Sequence, residues 1–96
     1  MAVAVIQEWE TGDDRSTAVY DELGPAMNVE SDPPNGLISH AAGFDGNTWR
    51  IFDIWESEDQ FQRFTEERLM PAMGQISAQG EPPQVRTYEL HNHQIP

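Results

Sequence analysis

His40 and Asp53 are the residues best suited by type to move a proton. An imidazole titrates near neutral pH. A carboxylate beside it sets its tautomer and raises its pKa, which suits a general base. Trp49, Ile51 and Trp55 flank the pair and would form an apolar, aromatic wall for a flat substrate. The same pair would serve equally as a buried hydrogen bond that only supports packing. Tyr20 offers a phenol able to donate to a substrate oxygen. Trp9 would line the pocket mouth. Arg68, on a helix face with Phe61 and Phe64, would meet an anionic substrate or pair with an acid such as Glu8. Each of these three also reads as core or ion pair. Glu89, His91 and His93 alternate with Leu90 and Asn92, so a strand would present all three on one face. His-x-His on a strand can place two imidazoles on a metal, with the carboxylate as third ligand. A solvated edge strand or a dimer contact explains the same pattern. No complementary ligand spacing occurs elsewhere, so neither a metal nor another cofactor is expected.

Composition removes other chemistries. The 96 residues are one domain, 1–96. There is no cysteine, which excludes disulfides, thiolate sites and thiol nucleophiles. There is no lysine, which excludes Schiff-base catalysis. Seventeen acids against five arginines give a net charge of −12. Such a surface repels phosphate, so neither nucleic acid nor anionic membrane is an expected partner. The opening MAVAVIQEWETGDD has a short apolar run and no basic start, unlike a signal peptide. With no stretch near the roughly 18 apolar residues of a membrane span, a cytoplasmic location is the expectation.

The elements that must position these residues follow from local pattern. Val3 to Trp9 reads as a strand rich in β-branched residues. Thr11 to Leu23 reads as a helix, with Ser16, Val19, Tyr20 and Leu23 inward, Gly24 ending it and Pro25 stopping continuation. Residues 25–35 form a loop long enough to be a lid. Gly36 to Gly43 and Thr48 to Trp55 flank an Asp45-Gly46 hairpin turn. Ser57 caps a second helix with Gln60 as its capping-box partner. Phe61, Phe64, Arg68 and Ala72 share one face of it, and Pro71 should kink or restart it near Met70. Glu81-Pro82-Pro83 breaks the chain, and Val85 to His93 is the last strand. The order β-α-β-β-α-β is the ferredoxin-like arrangement, an α+β fold with a four-stranded antiparallel sheet.

A two-residue Asp45-Gly46 turn would set Phe44 opposite Asn47, His40 opposite Ile51 and Ile38 opposite Asp53. One face then carries Ile38, His40, Ala42, Trp49, Ile51, Asp53 and Trp55. The other carries Leu37, Ser39, Ala41, Arg50, Phe52 and Ile54. Both faces hold apolar groups, and two helices cover only one. A second copy of the sheet is the simplest cover, so a homodimer packed sheet to sheet is expected.

Residues 4–24 (AVIQEWETGDDRSTAVYDELG), 32–69 (DPPNGLISHAAGFDGNTWRIFDIWESEDQFQRFTEERL) and 89–96 (ELHNHQIP) carry a resemblance. The chain resembles a small actinobacterial-type member of the dimeric α+β barrel superfamily, in its antibiotic-biosynthesis-monooxygenase-like group. The resemblance implies a dimer with a pocket in each subunit between helices and sheet. The superfamily includes cofactor-free oxygenases of aromatic polyketide quinols, haem-degrading enzymes, and isomerases and cyclases. Haem-degrading relatives carry an axial His in the second-helix region, and Ser57–Gln75 contains none. Three functions stay open at this point. One is a cofactor-independent monooxygenase or proton-transfer cyclase or isomerase acting on an apolar, aromatic small molecule. His40 would be its base, Asp53 the orienting group and Tyr20 an oxygen donor. Trp9, Trp49, Ile51, Trp55, Phe64 and Arg68 would contact the substrate. The second is a non-catalytic dimeric ligand-binding or accessory protein. The third is a haem or metal protein using His91 and His93.

Overall fold

A computed structural model describes residues 1–75 and 82–94. Strand β1 (Val3–Glu10) leads to helix α1 (Ala18–Met27), strands β2 (Leu37–Asp45) and β3 (Thr48–Trp55), and helix α2 (Glu58–Phe64). A π-helical turn over Thr65–Leu69 joins α2 to helix α3 (Met70–Gln75), and β4 (Gln84–Glu89) closes the sheet. The four strands lie in the order β2-β3-β1-β4, all neighbours antiparallel. This is the expected ferredoxin-like α+β arrangement. The Val-Ala-Val-Ile run lies in a central strand, between β3 and β4, and carries apolar side chains on both faces. Val3 and Val5 face the helices, packed with Trp55, Leu37, Phe61 and Phe64. Ala4 and Ile6 are buried on the opposite face.

Several boundaries differ from expectation, each for a tertiary reason. Thr11 does not open α1. Its amide and hydroxyl both donate to the Asn47 carbonyl at the hairpin tip, at 2.8 and 3.0 Å. The helix starts later and runs through Gly24 and Pro25, ending at Asn28, which takes φ 57°. Asparagine tolerates that left-handed cap better than other non-glycine residues. Arg68 supports the late ending by donating to the carbonyls of Met27 (2.5 Å) and Asp32 (2.8 Å). Of the expected inward stripe, Ser16 precedes the helix and Val19 is exposed, while Tyr20 and Leu23 are half-buried. Strand β4 stops at Glu89, where its pairing with β1 ends: Val3 pairs with Glu89, and a last bond joins the Leu90 amide to the Ala2 carbonyl. His91 and His93 therefore do not extend the strand, and the alternation expected of them with Glu89 is lost. Among the described residues no three His, Cys, Asp or Glu side chains cluster with metal-binding geometry. Glu81, in the expected chain break, lies outside the described residues.

The hairpin turns one residue later than expected. Asp45 pairs with Thr48, and Gly46-Asn47 make the loop. Gly46 takes φ 61° at the first central position while Asn47 does not, as a type II′ turn requires. Each pair sum shifts by two, so residues keep their faces but change partners. Past Ser39 an irregularity in the β2–β3 register puts Leu37 opposite Trp55, so Leu37 rather than Ile38 joins the helix-side core.

Ser57 caps α2 as expected, accepting from the Gln60 amide at 3.3 Å. The π turn sits just upstream of Pro71, where the Met70 amide reaches back to the Thr65 carbonyl. Proline has no N–H to give and its ring crowds the carbonyl four residues back, so a wider turn relieves both faults. Gly36 holds φ 96°, and a Cβ there would lie 2.5–2.8 Å from the Gln60 side-chain amide. Gly36→Ala should cost about 1–3 kcal/mol through backbone strain and displace Gln60 from Ser57. Chemical denaturation checks it, and an unchanged midpoint would count against this close approach.

Candidate active site

The β2–β3 register places His40 directly opposite Asp53, where the sequence expectation had them diagonal. Directly opposed Cβ atoms lie closer than diagonal ones, and the imidazole reaches the carboxylate without stretching. His40 Nδ1 lies 2.6 Å from Asp53 Oδ1. The other carboxylate oxygen accepts from the Trp55 indole N–H at 3.2 Å. Tyr20, arriving from α1, sets its hydroxyl 2.5 Å from His40 Nε2. Four residues thus form one line: Trp55, Asp53, His40, Tyr20. A carboxylate only accepts, so His40 Nδ1 carries the hydrogen toward Asp53. In the neutral imidazole Nε2 then offers its lone pair to the Tyr20 hydroxyl.

Exposure rises from Trp55 through Asp53 to His40, and Tyr20 beyond it is half-buried. Trp55 is 1% exposed and Asp53 6%, whereas the His40 side chain is 38% exposed. The hydrogen bond to Asp53 raises the His40 pKa above its ordinary value, and partial burial opposes this without reversing it. Burial, and then the charges of Asp53 and Asp21, raise the Tyr20 phenol pKa. Tyr20 therefore keeps its proton at neutral pH, while His40 is a stronger base than a free imidazole.

Around the outer end stand aromatic rings. Tyr20 meets Trp49 edge-on at 5.3 Å, and Phe44 meets Trp49 at 4.9 Å. The Arg15 guanidinium lies 4.5 Å from the centre of the Phe44 ring and donates to the Gly46 carbonyl at 2.8 Å. Trp9 pairs with Trp49, and Ile51 with Ala42, on this same face. Phe44 and Arg15 were not among the sequence candidates. The alternation Ala42–Phe44 was a usable signal for Phe44. Arg15 gave none, because only folding brings the β1–α1 connection onto the hairpin tip.

Three candidates belong elsewhere. Trp55 is core, packed on Phe61 and Phe64 at 5.7 and 5.3 Å, so it is no pocket wall. Phe64 faces the same core. Arg68 clamps the end of α1 and the loop after it, and it does not pair with Glu8. Glu8 lies on the opposite sheet face between Arg50 (2.9 Å) and Arg86 (2.8 Å), which hold its carboxyl below the usual range. The expected lid is also displaced. Asp32, Pro33 and Asn35 line a cleft of about 220 Å³ with Arg63, Phe64 and Arg68. A second cleft of similar size runs along β2 on the outer face, beside Arg50 and Phe52. Neither includes His40.

No protein-family model and no curated protein sequence matches this chain. Solved structures do match it in three dimensions. A protein of unknown function from Nitrosomonas europaea, NE2512, superposes with a TM-score of 0.70 at 21% identity, over 99% of this chain and 94% of that one. A Bordetella bronchiseptica protein named as an antibiotic biosynthesis monooxygenase gives 0.68 at 15%, over 93% and 96%. A point mutant of SnoaB, a cofactor-independent oxygenase from Streptomyces nogalater, gives 0.63 at 11%, over 96% and 95%. This chain shares their fold. Identities this low carry the fold and nothing of the chemistry, which must be argued from the residues above. Among the described residues no helix is long and apolar enough to cross a membrane.

Proposed function

We propose that this chain is a small homodimeric enzyme of the antibiotic-biosynthesis-monooxygenase-like group. It removes a proton from an apolar, aromatic, oxygenated small molecule and needs no bound cofactor. The observation that carries this reading is the imidazole tied at Nδ1 to a buried carboxylate and hydrogen-bonded at Nε2 to a phenol, beside Trp49 and Phe44. The carbanion formed would then cyclise, isomerise or reduce dioxygen. A cytoplasmic location belongs to the same reading.

The fold of the SnoaB mutant, described as a cofactor-independent oxygenase, supports the oxygenation branch by analogy. The dimer is supported by the outer sheet face, where Phe52 and Ile54 are only half-buried. Sedimentation should give about twice 10.9 kDa, and Phe52→Asp should halve that mass or unfold the chain. A soluble wild-type monomer at micromolar concentration would remove the dimer.

Anthrone, an aromatic carbon acid, is a suitable probe. Under anaerobic conditions in D2O the protein should speed exchange of its acidic C–H, read by NMR. Admitting dioxygen should then yield anthraquinone and water, one of each per dioxygen consumed. Neither cleft described above includes His40, and a second reading is a ligand-binding or accessory protein. Tryptophan emission that responds to anthrone without any exchange would select it.

A further inference from the structure

We infer that the group meeting the substrate is Tyr20, and that His40 receives the proton through it. The inference rests on the proton-transfer reading above and concerns the order of groups within it. An imidazole has two in-plane ring nitrogens, and both are engaged: Nδ1 by Asp53 at 2.6 Å and Nε2 by Tyr20 at 2.5 Å. Asp53, at 6% exposure, is out of a substrate's reach. The phenol oxygen ends the line of hydrogen bonds, on the far side of His40 from Asp53. A hydroxyl that donates its hydrogen to Nε2 keeps lone pairs for an incoming proton. Among the described residues its hydrogen bond to His40 is the one the structure shows.

A substrate that approached His40 directly would have to push Tyr20 aside. That motion is opposed from two directions. The ring rests edge-on against Trp49. The segment leading into α1 is held to the hairpin tip by Thr11 on the Asn47 carbonyl and by Arg15 on the Gly46 carbonyl and the Phe44 ring.

The step balances as a relay. The substrate's C–H proton passes to Tyr20 Oη as the hydroxyl's own proton passes to His40 Nε2. The electron pair of the broken C–H bond stays on the substrate as a carbanion or enolate. Tyr20 is a neutral phenol before and after, and the imidazolium is paired with Asp53. A phenol that holds its proton fits this concerted exchange better than a free phenolate nucleophile or base.

The test is anaerobic anthrone exchange in D2O, with circular dichroism confirming that each variant is folded. Tyr20→Phe keeps the ring against Trp49 and removes the hydroxyl. Exchange should fall by about 100-fold or more, within the range of a lost general acid–base group. His40→Ala should fall to a similar level, and the double variant should be no slower than the worse single, because the two act as a unit. In Tyr20→Ala, added phenol should restore exchange whereas toluene should not. Retention of more than about a tenth of the rate in Tyr20→Phe would show that His40 contacts the substrate itself. That result overturns the inference and leaves the proposed function standing. Rescue by toluene as effective as by phenol would overturn it too, since filling space would then be all that Tyr20 does. A wild-type protein that never accelerates exchange would remove the proton-transfer reading and this inference with it.

Discussion

Trp55→Ala should cost about 3–5 kcal/mol, the range for deleting a buried aromatic side chain, and leave the chain largely unfolded. Trp55 is the largest fully buried side chain. It carries the contact between sheet and second helix through Phe61 and Phe64. A domain of this size has roughly 5–15 kcal/mol of total stability, so one such cavity consumes much of it. Trp55→Phe separates packing from hydrogen bonding. The ring still fills most of the space, but Asp53 Oδ2 loses its indole donor while staying buried. About 1–3 kcal/mol is the expected loss for leaving such a group unsatisfied. Urea denaturation of both variants measures the two losses. A loss under about 1 kcal/mol for Trp55→Ala would contradict the placement of this residue at the centre of the core.

Asp53→Asn should leave the fold in place and cut anthrone exchange by about 100-fold, with the rate–pH inflection moving to lower pH. The hydrogen bond to Asp53 is the main cause of the raised His40 pKa. An amide removes the charge, so burial is left to push the imidazole pKa down, and the base weakens. Stability changes with pH in a defined sense. A raised folded-state pKa means that the folded protein binds the His40 proton more tightly than the unfolded chain does. That contribution is fully present below about pH 6.5, the ordinary imidazole value. It is lost as pH rises through the folded-state pKa. Wild type should therefore lose stability relative to Asp53→Asn as pH climbs through neutrality. Parallel stability–pH curves for the two proteins would show that the pair is uncoupled. An NMR titration of the His40 ring measures the same pKa directly.

Local pattern was enough to read much of the frame. β3 runs over Thr48–Trp55 as the alternation required, and Ser57 caps α2 as its spacing to Gln60 required. Pro71 disturbed the helix where its missing N–H demanded. The helix-side grouping of His40, Ala42, Trp49, Ile51, Asp53 and Trp55 was also legible. It depends only on strand parity, which the one-residue shift of the turn leaves untouched. Ile38 and Leu37 exchanged faces because a register irregularity is set by pairing across strands, which local pattern does not show.

What lay outside local pattern was whatever depends on a partner distant in sequence. Gly24 and Pro25 looked like a helix stop, and α1 passes through them because Arg68, 41 residues past Met27, bonds its end. β4 ends at Glu89, where its pairing with β1 ends at Val3. Trp55 and Trp49 read alike as aromatic residues six apart on one face. Helix α2 packs over one and leaves the other half-buried near solvent. Type and parity by themselves determined that an imidazole, a carboxylate and a phenol were available on compatible elements. Only the tertiary structure decided their order, because hydrogen-bond geometry depends on distances of a fraction of an ångström set by register and helix docking. That docking put Tyr20 on one nitrogen of His40 and the buried Asp53 on the other.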